Sequence, residues 1–269
     1  MSDVVAAIPR DRRSIDRCIY CGATDGQLTD EHIIPEALGG TARLVRASCK
    51  DCQTKTARAE SVLGPLMEPL RRLAGIEGKK KRKSTVRLKG IDPAGRHYSQ
   101  DVSPDEIGLL AVFPQLGEPP RLLTKRNRTE TFDIDFIPLF NPSKLGRKHS
   151  VGSFMNIGPL PFARMIAKIC HAQAHASLGN TFESFLTPLI RESDDYWPDF
   201  VGSSIEPLPI GEGSPFVSVS IYRMSGRHQG LLLGRVCLFQ DLGGPTYDVA
   251  LGRELGSQIQ SLQGQSVED

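Results

Sequence analysis

The pattern of apolar and polar positions predicts many short strands and one strong helix. Phe162, Met165, Ile166, Ile169, Gln173 and Ala176 recur at helical spacing, and Gly179-Asn180 closes the segment, so a helix is predicted from Phe162 to Leu178. Leu28 to Ile34 reads as a strand stopped by Pro35, Leu38-Gly39-Gly40 as a turn, and Leu44 to Ala47 as a returning strand. Thr54 to Leu63 reads as a helix, and Leu66 to Leu73 as another after Gly64-Pro65. Val86–Lys89, Leu122–Lys125, Phe216–Ile221, Gly230–Phe239 and Tyr247–Leu251 read as strands. The mixture predicts an α+β protein. Its expected parts are a flexible tail (1–16), a small module (17–63), a helix and basic linker (64–90), an α+β domain (91–255) and a polar tail (256–269).

Composition narrows the setting. No apolar run approaches the roughly 20 residues that span a bilayer, so no membrane role is expected. The N-terminus lacks the basic start and long apolar stretch of a secretory signal, which makes a cytoplasmic protein the expectation. The net charge of +2 is unevenly spread: residues 1–90 hold 18 Lys+Arg against 11 Asp+Glu, and the remainder is acidic. A basic first third, including Lys79-Lys80-Lys81-Arg82-Lys83, suits a polyanionic partner or a solvated linker.

Cysteine spacing changes the picture most. Cys18-Ile19-Tyr20-Cys21 and Cys49-Lys50-Asp51-Cys52 are two CxxC pairs in a chain whose expected compartment keeps thiols reduced. Such pairs can close a tetrahedral sulfur site around structural Zn2+. Cys170 and Cys237 stand alone in apolar contexts and read as small buried hydrophobes. His171 and His175, four apart on the predicted helix, fall opposite its apolar stripe and lack the Glu of a metalloprotease motif, so a metal role is not assigned to them.

Between the cysteine pairs lies Glu31-His32-Ile33-Ile34-Pro35, followed by Leu38-Gly39-Gly40. Together with Cys18, Cys21, Cys49, Cys52 and the helix carrying Glu60, these residues resemble the zinc-containing HNH, or ββα-metal, endonucleases over about residues 17–63. The resemblance implies an N-terminal zinc-stapled ββα module, and the pattern of strands and one strong helix predicts a mixed α+β C-terminal domain after it. It also implies His32 as general base, with Glu31 and Gln53 holding a catalytic Mg2+ or Mn2+. The chemistry is coherent, because phosphodiester hydrolysis needs an activated water, neutralised phosphate charge and a stabilised leaving oxygen. Two positions depart from the family. Gln53 stands where asparagine is usual, and Thr41, Ala42, Arg43 and Leu44 occupy the loop where another asparagine commonly sits.

The expected function is therefore metal-dependent hydrolysis of DNA, with Arg43, Arg46, Lys50, Lys55 and Arg58 as candidate phosphate contacts and double-stranded DNA as partner. Ordinary surface solvation accounts for the same five basic residues. The alternatives are a catalytically degenerate nucleic-acid-binding protein on the zinc scaffold and a protein-interaction module. The C-terminal domain would choose the target, a protein partner or an oligomeric mate.

Overall fold

The computed structural model describes residues 3–6, 14–61, 86–91, 95–102, 110–124, 133–138, 158–204, 216–240 and 244–255. The helix expected at 66–73, the basic run at 79–83 and the polar tail lie outside these residues. Helix and strand are mixed, as the pattern predicts. In chain order the strands are β1 (Asp3–Ala6), β2 (Leu28–His32), β3 (Arg43–Cys49), β4 (Val86–Ile91), β5 (His97–Val102), β6 (Leu110–Gln115), β7 (Asp133–Pro138), β8 (Phe182–Ser184), β9 (Val201–Ser203), β10 (Val217–Arg223), β11 (Leu231–Leu238) and β12 (Thr246–Glu254). The two long helices are α1 (Lys50–Ser61) and α2 (Pro159–Leu178).

The N-terminal unit is a β2–β3 hairpin followed directly by α1. Helix α1 starts four residues earlier than the pattern predicts, so Cys52 and Gln53 are helical. A turn of 3-10 helix at Glu36–Leu38 bends the hairpin loop, and Gly39 ends it with a left-handed φ of 79°. Gly40 then passes so close to the returning chain that a Cβ there would lie 2.0 Å from the Ile34 carbonyl oxygen. Only glycine fits this turn without moving backbone.

The larger unit is an antiparallel sheet in the order β1-β10-β11-β12-β8, with β9 also paired to β12. The hairpins β4–β5 and β6–β7 stand apart from it as two-stranded sheets. Two local expectations are corrected. Asp3–Ala6, expected in a flexible tail, pairs with β10 as the edge strand β1. Of the strand expected at Leu122–Lys125, the first three residues lie instead in a single helical turn at Arg121–Thr124, and Lys125 lies outside the described residues. Pro119-Pro120 precede that turn, and the Leu123 amide donates back to the Pro120 carbonyl at 3.0 Å. Proline fixes a φ suited to starting a turn and offers no N–H to a strand partner.

Helix α2 joins the two units. Phe162, Met165, Ile166 and Ile169 are buried, as the stripe predicts, but so are Lys168 and His171 on other faces. One side of α2 packs on the sheet, where Gly234 admits Cys170: a Cβ at Gly234 would lie 2.6 Å from Cys170 Sγ. Another side packs on α1 and the hairpin. A helix buried on most of its circumference is what a layer between two others requires. Cys170 and Cys237 are both buried, in keeping with the sequence reading.

Candidate nuclease site

The metal staple begins at a knuckle. The Cys18 amide donates to the Ala23 carbonyl at 2.8 Å, the Gly22 amide donates to the Cys18 carbonyl at 2.8 Å, and Gly22 takes a φ of 78°. The Ile19 amide then donates to the Ala47 carbonyl at 2.9 Å, which docks this knuckle on β3. The second pair spans the junction of β3 and α1, where the strand ends at Cys49 and Cys52 lies in the first helical turn. All four sulfurs come within 4.8 Å of one another. Cys21 and Cys49 Sγ are 3.7 Å apart, close to the edge of about 3.8 Å that a tetrahedron with zinc–sulfur bonds of about 2.3 Å requires. Burial pushes the thiols of Cys18 and Cys52 up, so they do not ionise readily without a cation among them. Cys18, Cys21, Cys49 and Cys52 therefore fit one structural zinc ion, which would tie hairpin to helix.

The hairpin is bulged just before Glu31 and His32. Thr29 pairs with Ser48 and Glu31 with Leu44, so extra residues of β3 stand opposite Asp30. Arg46 takes a φ of 51° in this bulge, and its amide donates to Asp30 Oδ1 at 3.2 Å. Beyond the bulge, Glu31 is buried and His32 half-buried. A cavity of about 160 Å3 lies between β2 and α1, lined by Asp30, Glu31, His32, Glu36, Gln53, Thr56, Ala57 and Glu60. The three residues expected to carry catalysis thus meet at one cavity.

Burial, followed by the positive charges of Arg43 and Lys168, lowers the His32 pKa below that of an ordinary imidazole. The ring is neutral near pH 7 and can accept a proton. Its Nδ1 is buried with no hydrogen-bond partner among the described residues. Nothing in Thr41–Leu44, where the family's loop asparagine would stand, supplies one.

Lys168 reaches the site from α2. Its Nζ lies 2.8 Å from Glu31 Oε1, 2.8 Å from Glu60 Oε1 and 2.5 Å from the His32 carbonyl oxygen, to which it donates. Burial opposes the charge, but Glu31 and Glu60 outweigh it and hold the Lys168 pKa above the usual value. A lysine fully enclosed by protein is tolerable only with such pairing. Gln53 Oε1 accepts from Lys50 Nζ at 3.3 Å. Carboxylate and amide oxygens suit a hard divalent ion. As arranged, however, Glu31 and Gln53 each serve an ammonium group, and they do not fit the shared divalent ion that the sequence led us to expect.

The five candidate phosphate contacts are unequally available. Arg46 pairs with Asp16 at 2.5 Å, Lys55 with Asp51 at 3.1 Å and Arg58 with Glu192 at 2.9 Å. Lys50 holds Gln53, whereas Arg43 is exposed and lies opposite His32 in the hairpin register. His171 is a satisfied core histidine: Nε2 donates to the Ile19 carbonyl at 2.8 Å, and Nδ1, left as acceptor, is 2.8 Å from Ser184 Oγ. Its ring stacks on Tyr20 at 5.3 Å.

Lys168 is the residue that sequence reasoning missed. A signal was present, since α2 contains no Asp or Glu, so a lysine in its middle must find any carboxylate elsewhere. No curated protein and no solved structure gives a significant match to the chain. Residues 18–62 match the family model described as HNH endonuclease. Residues 18–62, with their clustered cysteines and ββα order, form an HNH-type region at the N-terminal end of the chain.

Proposed function

We propose that the chain hydrolyses phosphodiester bonds in DNA, with His32 as general base. The observation that carries this reading is the neutral imidazole of His32 in the wall of a cavity between β2 and α1. In the proposed reaction His32 takes a proton from water as the water oxygen bonds to phosphorus, the P–O bond to the leaving sugar oxygen breaks, and that oxygen takes a proton from solvent. Exposed Arg43, beside His32 in the hairpin, offsets phosphate charge, and Lys50 adds positive charge at the start of α1. A zinc ion at the four cysteines holds the strand bearing His32 against the helix and takes no part in bond breaking.

A second reading has its own support. Lys168 on Glu31, Lys50 on Gln53 and the unpartnered Nδ1 of His32 would all be acceptable in a protein that binds nucleic acid on the zinc scaffold without cutting it. Plasmid nicking separates the two. His32-dependent nicking supports the nuclease, whereas salt-sensitive binding without nicking supports the scaffold protein.

A further inference from the structure

Three oxygens surround one buried ammonium at the floor of the module. An ammonium has three N–H donors, and Lys168 Nζ has Glu31 Oε1, Glu60 Oε1 and the His32 carbonyl oxygen at 2.5–2.8 Å. Two of these oxygens come from β2 and one from α1, whereas the cation comes from α2, far outside residues 18–62. Two carboxylates that close on one point need either a shared proton or a cation between them, and here the Lys168 ammonium lies 2.8 Å from both. A second cation on Glu31 would be repelled by the first at short range and low dielectric. Lys168 is fully buried where α2 is docked. The neighbouring turns fix the helix on both sides, through Cys170 against Gly234 and His171 on the Ile19 carbonyl.

We propose that Glu31, Glu60 and the His32 carbonyl form a cation centre whose resident is the Lys168 ammonium, and that this resident excludes divalent ions from Glu31. The inference deepens the nuclease reading, on which it rests for the importance of the site, by naming the cation that the site contains. It also assigns a task to α2, which supplies the cation for two carboxylates of the 18–62 segment.

The test reads binding rather than cleavage, so it can fail independently of the nuclease reading. Mn2+ binding to the full zinc-loaded chain is measured by electron paramagnetic resonance of the free ion at neutral pH. The wild type and Glu31→Gln should bind Mn2+ alike. Lys168→Met, which keeps the stem and removes the charge, should gain a site at least tenfold tighter than any in the wild type. That gain should vanish in Lys168→Met/Glu31→Gln. The proposal is overturned if Glu31→Gln weakens Mn2+ binding in the otherwise wild-type chain, or if folded Lys168→Met gains no site. Should Lys168→Met fail to fold, the comparison of wild type with Glu31→Gln decides alone.

Discussion

His32 and His171 show how one residue type takes two roles from its surroundings. His32 opens on a cavity and is neutral because burial and nearby cations disfavour its charged form. Its pH dependence should show this: nicking should rise with pH through a midpoint below about 6.5, the ordinary imidazole value. A midpoint above that value in a pH–rate profile would contradict the assignment. His171 is buried in the core, and that burial lowers its pKa to about 4. The neutral form belongs to the folded state, so its contribution to stability is complete above the unfolded pKa of about 6.5 and is lost as pH falls toward 4. The loss for this residue is on the order of 3 kcal/mol. Unfolding by urea should therefore become easier between pH 6.5 and 4, and His171→Leu should flatten that slope. Equal slopes in the two proteins would remove His171 from the account.

At the scale of elements, close approach explains what the apolar pattern leaves unsaid. The strands at 217–223, 231–238 and 246–254 and the long helix were all legible, because each carries its own periodicity or apolar run. The spacing between them was not. Gly234 lets β11 approach α2 at Cys170, and a methyl group there must displace sulfur. Gly234→Ala should cost about 1–3 kcal/mol by overpacking. Cys170→Ala in the same chain should restore part of it, because the two sites share one contact. Strict additivity in chemical denaturation would contradict this packing. The helical turn at Arg121–Thr124 was hidden because two leucines and a threonine read as a strand unless the prolines before them are weighed. Edge strand β1 was hidden because four residues carry too little pattern to separate from a tail.

For the whole molecule, the cysteine cluster and the sheet are linked through α2. Cysteine spacing made the four-cysteine cluster legible, since the pairs are local in sequence. The ion pair from Lys168 to Glu31 was not, because its partners lie on separate units and nothing local links them. Zinc analysis should give near one equivalent, with Cys49→Ser losing most of it. Stripping the metal should loosen the docking face that holds Lys168 and His171, and so lower the Tm of the entire chain. An unchanged Tm after complete zinc removal would show that the staple is independent of the larger unit.

The nuclease assignment rests on His32 acting on a phosphodiester, and nicking of supercoiled plasmid by the zinc-loaded chain, beside His32→Ala, tests it most directly. The account predicts nicking by the wild type and a loss of at least a hundredfold in His32→Ala, in line with the roughly 10²–10⁴-fold contribution of a general base. Equal nicking by both proteins, or salt-sensitive DNA binding with no nicking by either, would contradict it.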